Sequence, residues 1–116
     1  MAKEIYISGP MRGHPKNNRP AFQTAATAVC ELGHNPILPH DIAVTVRQSL
    51  ASQFKQPTIR DYFQADVLAV IRRADAVLMI NGWHLSKGAQ AEFWLAHAIG
   101  LPVLHNVAEL REIEVG

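Results

Sequence analysis

One short apolar run, at residues 76–80, constrains the fold of this chain more than any other sequence feature. It reads Ala-Val-Leu-Met-Ile and follows Asp75, without the polar alternation of a half-exposed strand. A continuous apolar run of this length predicts a strand, here 75–80, that is buried on both faces. Strands of this kind occur in parallel sheets that carry a layer of helices on each side, so the run favours an α/β fold.

Further predicted strands and helices alternate along the chain. The predicted strands are 4–8, 36–39, 75–80 and 101–104. Apolar residues at helical spacing predict helices over about 20–32, 58–74 and 88–99. Gly33 and Gly100 stand where helix C-caps favour glycine, and Thr58 with Asp61 resembles a capping box.

The alternation predicts one domain over residues 1–116, a Rossmann/flavodoxin-like three-layer sandwich with helices on both faces of a parallel sheet. We expect four or five strands in the order 2-1-3-4, with 36–39 at an edge because of its prolines. The fifth would be a short strand at 113–115. Segment 41–56 predicts an irregular helix that covers part of the ligand site.

Composition excludes several classes of protein. Hydrophobic residues make up 48% and charged residues 18%, which is typical of a globular chain. The net charge is +1 with no run of Lys or Arg, which argues against polymeric nucleic acid as a partner. No apolar stretch approaches the roughly 20 residues of a membrane helix. The single cysteine, Cys30, together with the lack of a signal-like start, predicts a cytoplasmic protein.

Parallel sheets bind ligands at the carboxyl ends of their strands, and two polar loops, 8–18 and 81–88, leave strands at that edge. The first opens with a glycine-bearing segment made up of Ser8, Gly9, Pro10, Met11, Arg12 and Gly13. Such a loop either aims backbone N–H groups at a phosphate or is a plain turn. In the second loop, Ser86 is a natural N-cap, and the helix it opens at Gly88 would offer its amides to an anion. Trp83 either stacks on a base, covers the sheet edge or contacts another subunit.

Two carboxylates are candidate catalytic residues. Asp66 lies in the apolar stripe of its helix, where a carboxylate is costly unless it is paired or used. That stripe consists of Ile59, Tyr62, Phe63, Val67, Val70, Ile71 and Ala74. The alternative interpretation of Asp66 is a structural residue at the edge of the core, bonded to a backbone amide or an Arg. Glu92 lies beside the stripe of Ala91, Trp94, Leu95, Ala98 and Ile99. On the residues alone, a solvated helix acid is the simpler interpretation of Glu92.

The six histidines form no HxH or HxxxH pair, which argues against a metal site.

Taken together, these segments resemble the nucleoside 2-deoxyribosyltransferase-like superfamily, especially its small, often phage-borne branch of DUF4406 type. The resemblance covers most of the chain. It rests on IYISGPM at 5–11, NRPAF at 18–22 and GWHLSKGAQAE at 82–92.

The resemblance implies an enzyme that hydrolyses or transfers the N-glycosidic bond of a (deoxy)nucleoside 5′-monophosphate, as the similar 2′-deoxynucleoside 5′-phosphate N-hydrolases do. It implies Glu92 as the nucleophile that attacks C1′, Asp66 as its partner and Tyr6 as the group that orients Glu92. No cofactor is implied. The implied substrate-binding residues are Ser8, Gly9, Pro10, Met11, Arg12, Gly13, Arg19, Trp83, Ser86 and Gly88.

Two other functions stay open at this point. One is a nucleotide-binding sensor without turnover, and the other is a Glu-dependent NAD glycohydrolase. By the same resemblance, the protein is expected to be a homodimer or a larger homo-oligomer whose neighbouring subunit completes the site.

Overall fold

A computed structural model describes residues 1–111 and confirms the α/β fold. Its four strands form one parallel sheet in the order β2-β1-β3-β4. The strands are β1 (Glu4–Ser8), β2 (Asn35–Ile37), β3 (Ala76–Met79) and β4 (Val103–Leu104). The helices in the described range include α1 (Arg19–Glu31), α2 (Pro39–Ala51), α3 (Ile59–Arg72) and α4 (Lys87–Ala98). The predicted strand at 113–115 lies outside the described residues.

β1 is a central strand, and its alternation divides the core into two halves. Ile5 and Ile7 face one side, where they pack with Phe22 and Val29 of α1. Tyr6 points to the other side, into a cluster with residues of α3 and α4. Because side chains alternate along a strand, Ser8 shares the face of Tyr6. This places two hydroxyl-bearing side chains toward the layer that contains α3 and α4.

Local signals set several helix ends as predicted. Thr58 Oγ1 accepts from the Asp61 backbone N–H, while Asp61 Oδ2 accepts from the Thr58 N–H at 2.8 Å, which completes the capping box of α3. Gly33 and Gly100 both adopt left-handed φ angles after their helices. Among the described residues, no helix combines the length and the apolar character needed to cross a membrane.

The predicted buried faces of α3 and α4 were partly wrong. On α3, Ile59 is 62% and Ile71 50% exposed, and its buried residues are Ala69 and Val70. On α4, Trp94 of the predicted stripe is 68% exposed. The residues of α4 that are buried are Ala89, Glu92 and Ala96. Small alanines let α4 approach the sheet closely, so the helix turns a face with few large apolar residues inward.

Segment 41–56 was expected to be an irregular helix, but its residues 41–51 belong to the regular helix α2. It begins at Pro39, directly after edge strand β2, and packs along α3. At its start, His40 is buried and its Nε2 lies 2.9 Å from the carbonyl oxygen of Asn17, in the loop after β1. The first turn of α2 therefore supports that loop, and most of the helix lies against α3.

Candidate active site

The centre of the candidate site is the carboxylate of Glu92, which is 6% exposed. Its Oε2 accepts a hydrogen bond from the Tyr6 hydroxyl at 2.9 Å, and its Oε1 accepts one from Ser8 Oγ at 2.6 Å. Each carboxylate oxygen thus has one hydroxyl donor from β1. Glu92 is therefore not the solvated helix acid that the residues alone favoured.

The position of Glu92 follows from how α4 begins. Ser86 caps the helix, because its Oγ accepts from the Ala89 N–H at 3.2 Å. α4 starts at the carboxyl edge of the sheet, since it follows β3 through the loop that contains Trp83. The spacing of Ala89, Glu92 and Ala96 places the three on one helical face, toward the sheet. That face brings the carboxylate to the hydroxyls at the end of β1.

Asp66 supplies a second carboxyl group from α3, where it is half-buried. Desolvation by burial, and then the charge of Glu92, raise its pKa from 3.8 to about 8. Within residues 1–111, no group donates a hydrogen bond to Asp66. The alternative of an Asp bonded to a backbone amide or an Arg is therefore not what the described residues show.

The environments of the two carboxyl groups differ in one decisive respect. Burial also raises the pKa of Glu92, but its hydrogen bonds from Ser8 and Tyr6 act in the opposite direction. Asp66 lacks such donors among the described residues, so of the two carboxyl groups Asp66 holds a proton more readily and Glu92 ionises more readily. Burial and the neighbouring carboxylates raise the pKa of Tyr6 well above 10, so its phenol stays a donor.

The glycine-bearing loop sits directly beside this centre. A Cβ on Gly9 would overlap Cγ1 of Ile80 and lie 2.9 Å from its Cδ1, so this glycine permits close packing between the loop and the end of β3. Pro10 is buried, and its carbonyl accepts from Asn18 Nδ2 at 2.9 Å. Met11 packs partly against the core. The start of the loop is therefore well anchored.

The far part of the loop is exposed and has an unusual backbone. Arg12, Gly13 and Arg19 are exposed, and neither arginine makes an ion pair within residues 1–111. Lys16, Asn17 and Asn18 all have left-handed φ angles between 53° and 59°. Such a backbone is uncommon outside glycine, and asparagine tolerates it best. This turn leads directly into the first turn of α1.

The aromatic residue of the second loop does not stand free. Trp83 is half-buried and stacks on Phe93 of α4, with ring centroids 4.6 Å apart and planes 18° apart. Trp83 therefore has at least one structural partner, whichever of its predicted roles applies.

Gly88, another predicted site residue, lies in the first turn of α4 near Phe63 of α3, which would be 4.0 Å from an added Cβ.

The structure thus brings together four of the predicted site residues, Tyr6, Ser8, Asp66 and Glu92. Sequence reasoning placed Ser8 with the substrate and missed its hydrogen bond to Glu92. The signal that could have found it is the alternation of β1, which puts Ser8 on the face of Tyr6. In the described part of the chain, no three His, Cys, Asp or Glu side chains are grouped as metal ligands.

Comparison with known proteins identifies a family whose description names no activity. No curated protein matches the sequence. The model of the family described as "Domain of unknown function (DUF4406)" matches residues 3–105. This match spans the sheet, its four helices and all four clustered site residues, and the chain therefore belongs to the DUF4406 family.

Proposed function

We propose that this protein cleaves the N-glycosidic bond of a (deoxy)nucleoside 5′-monophosphate, with Glu92 as the nucleophile. The observation that carries the proposal is the buried Glu92 carboxylate, with a hydroxyl donor on each oxygen and a second carboxyl group, Asp66, whose pKa the charge of Glu92 helps to raise. Two carboxyl groups in unlike environments suit the two roles of a retaining glycosidase, nucleophile and general acid.

In the first step, a lone pair of a Glu92 oxygen forms a bond to C1′ of the sugar. The C1′–N bond breaks, its electron pair goes to the base, and Asp66 donates the proton that the departing base needs. The product is a glycosyl ester on Glu92. In the second step Asp66, now ionised, takes a proton from water while the water oxygen replaces Glu92 on C1′. Transfer to a second base would follow the same course.

Substrate recognition is assigned to the two loops at the carboxyl edge. The amides of the loop from Gly9 to Gly13, the exposed Arg12 and Arg19 and the N-terminus of α4 at Ser86 and Gly88 are groups suited to a 5′-phosphate. Trp83 then lies on the side of the base. The anchored start of the loop favours a pre-formed site over one that folds around its ligand.

The test is release of free base. The protein is incubated with a panel of ribo- and deoxyribonucleoside 5′-monophosphates and with NAD, and products are separated by chromatography. We expect free base from at least one monophosphate, from wild type and from the matched control Glu31→Ala on the exposed face of α1, but not from Glu92→Ala. Nicotinamide as the only product would make the protein an NAD glycohydrolase. Tight binding without any product would make it a sensor. Either result would overturn the proposal.

A further inference from the structure

Ser8 is the last residue of β1, is 1% exposed, and has the Glu92 carboxylate as the acceptor of its hydroxyl. We propose that Ser8 is a positioning residue, which acts through Glu92 by fixing the carboxylate in its attacking orientation and keeping it ionised. The inference rests on the function proposed above and adds to it a residue that the sequence had assigned to substrate contact.

The backbone of Ser8 is fixed by its pairing with β3. Ser8 pairs with Met79 in the parallel register, and its carbonyl oxygen accepts from the Ile80 N–H at 2.9 Å. With the backbone fixed and the side chain buried, the position of Oγ is set by the fold before any ligand binds. A donor held in place beforehand costs no reorganisation during the reaction.

Tyr6 and Ser8 each provide a hydrogen-bond donor to a different oxygen of Glu92. Tyr6 donates to Oε2 and Ser8 to Oε1, so rotation of the carboxylate about its last bond would break both hydrogen bonds. When one oxygen bonds to C1′, the other keeps a donor. When the ester is cleaved, the returning negative charge again meets two donors. Without Ser8, the carboxylate would keep a single donor and be free to turn.

The loss of Ser8 also changes the proton balance. The titratable groups that face Glu92 among the described residues are Tyr6 from β1 and Asp66 from α3. Neither supplies a positive charge, so hydrogen bonding is what counteracts the burial of Glu92. Removing one of two donors to a carboxylate raises its pKa. The acid limb of the pH–rate profile then moves to higher pH.

The experiment compares Ser8→Ala and Ser8→Cys with wild type. Ser52→Ala serves as the control, since it removes an exposed hydroxyl that donates to the Ser49 carbonyl at the end of α2, away from Glu92. Two quantities are measured. The first is kcat and KM against pH for the best monophosphate. The second is the protonation midpoint of Glu92, from the ¹³C shift of its carboxyl carbon, assigned through its loss in Glu92→Gln.

For Ser8→Ala we expect the Glu92 midpoint and the acid limb to rise by about one pH unit, and kcat at neutral pH to fall about tenfold. KM should change less than about twofold, because Ser8 acts on the nucleophile. Ser8→Cys, with its weaker donor, should lie between wild type and alanine. A purely structural serine would lower the melting temperature without moving the midpoint.

The two measurements separate failure of this inference from failure of the proposed function. If wild type releases no base, the proposed function fails, but the Glu92 midpoint still tests the effect of Ser8. An unchanged midpoint in folded Ser8→Ala overturns the inference even if the enzyme is active. Should Ser8→Ala not fold, the midpoint of Ser8→Cys decides in the same way. If KM and the monophosphate dissociation constant of Ser8→Ala rise equally while kcat is unchanged, Ser8 is a substrate-binding residue and the inference is overturned.

Discussion

Replacing Asp66 with asparagine should change how the free energy of unfolding depends on pH. Asp66 has its pKa raised from 3.8 to about 8 in the folded protein. Below pH 4 its carboxyl group is protonated in both the folded and the unfolded chain, so it has no effect on their difference. Between pH 4 and pH 8 the unfolded chain releases the proton and the folded chain keeps it. Wild type therefore loses stability as pH rises through this window, and the loss is complete above pH 8.

The size of the loss follows from the shift of the pKa. About four pH units, at about 1.4 kcal/mol each, set an upper bound of about 6 kcal/mol. Asp66 is only half-buried, and water near the group reduces the effect. We therefore expect wild type to lose about 2 to 4 kcal/mol between pH 4 and pH 8 on account of this group. Asparagine has nearly the same shape and does not ionise, so Asp66→Asn should not show this part of the decline.

The assay is urea unfolding followed by circular dichroism at pH 5, 6, 7, 8 and 9. The advantage of Asp66→Asn over wild type should grow from pH 5 to pH 8 and level off between pH 8 and pH 9. Asp41→Asn, which replaces an exposed carboxylate in the first turn of α2, is the matched control and should differ from wild type by a nearly constant amount. Parallel stability curves for wild type and Asp66→Asn from pH 5 to pH 9 would refute the idea that Asp66 holds a proton.

Three further predictions concern the loop after β1, the N-cap of α4 and the oligomeric state. Gly9→Ala should destabilise the fold by about 1 to 3 kcal/mol, because its Cβ would overlap Ile80; an unchanged melting temperature would contradict that packing. Ser86→Ala should weaken binding of a 5′-monophosphate more than binding of the matching nucleoside, by about 1 to 3 kcal/mol in calorimetry; an equal loss for both ligands would leave Ser86 as a helix cap only. Light scattering at tens of micromolar (roughly the range of modest oligomer affinities) should show a dimer or larger, since Leu85 in the loop before α4 and Trp94 in α4 are large apolar residues exposed to solvent; monomer alone would count against this.

Local sequence patterns predicted the framework of the fold well. The apolar run after Asp75 became the central strand β3, and the pairing of Thr58 with Asp61 starts α3. These features depend on residues close together in the chain, where propensity and capping act directly. The inward face of α4 was predicted less well. Counting apolar residues pointed toward Trp94, whereas the helix packs through alanines and Glu92.

The candidate site shows why sequence patterns alone were insufficient. Asp66 was selected because it lies in the apolar stripe of its helix. Glu92 was selected with the help of a family resemblance, because a helix acid by itself looks solvated. What buries Glu92 is its contact with hydroxyls 84 and 86 positions away, at Ser8 and Tyr6. Contacts at that separation depend on the packing of the whole sheet and leave no local pattern. The alternation within β1 was the one sequence signal that joined the two hydroxyls.

The most direct test of Glu92 as the nucleophile is mass spectrometry of the protein after brief incubation and acid quench with a monophosphate that it cleaves. A covalent intermediate on Glu92 predicts that the peptide containing this residue gains the mass of the sugar phosphate without the base. The adduct should be absent from Glu92→Ala, which should also release no base while it still binds the nucleotide, because affinity comes mainly from other contacts. Base release by Glu92→Ala at the wild-type rate, with no adduct on the wild-type peptide, would contradict the account.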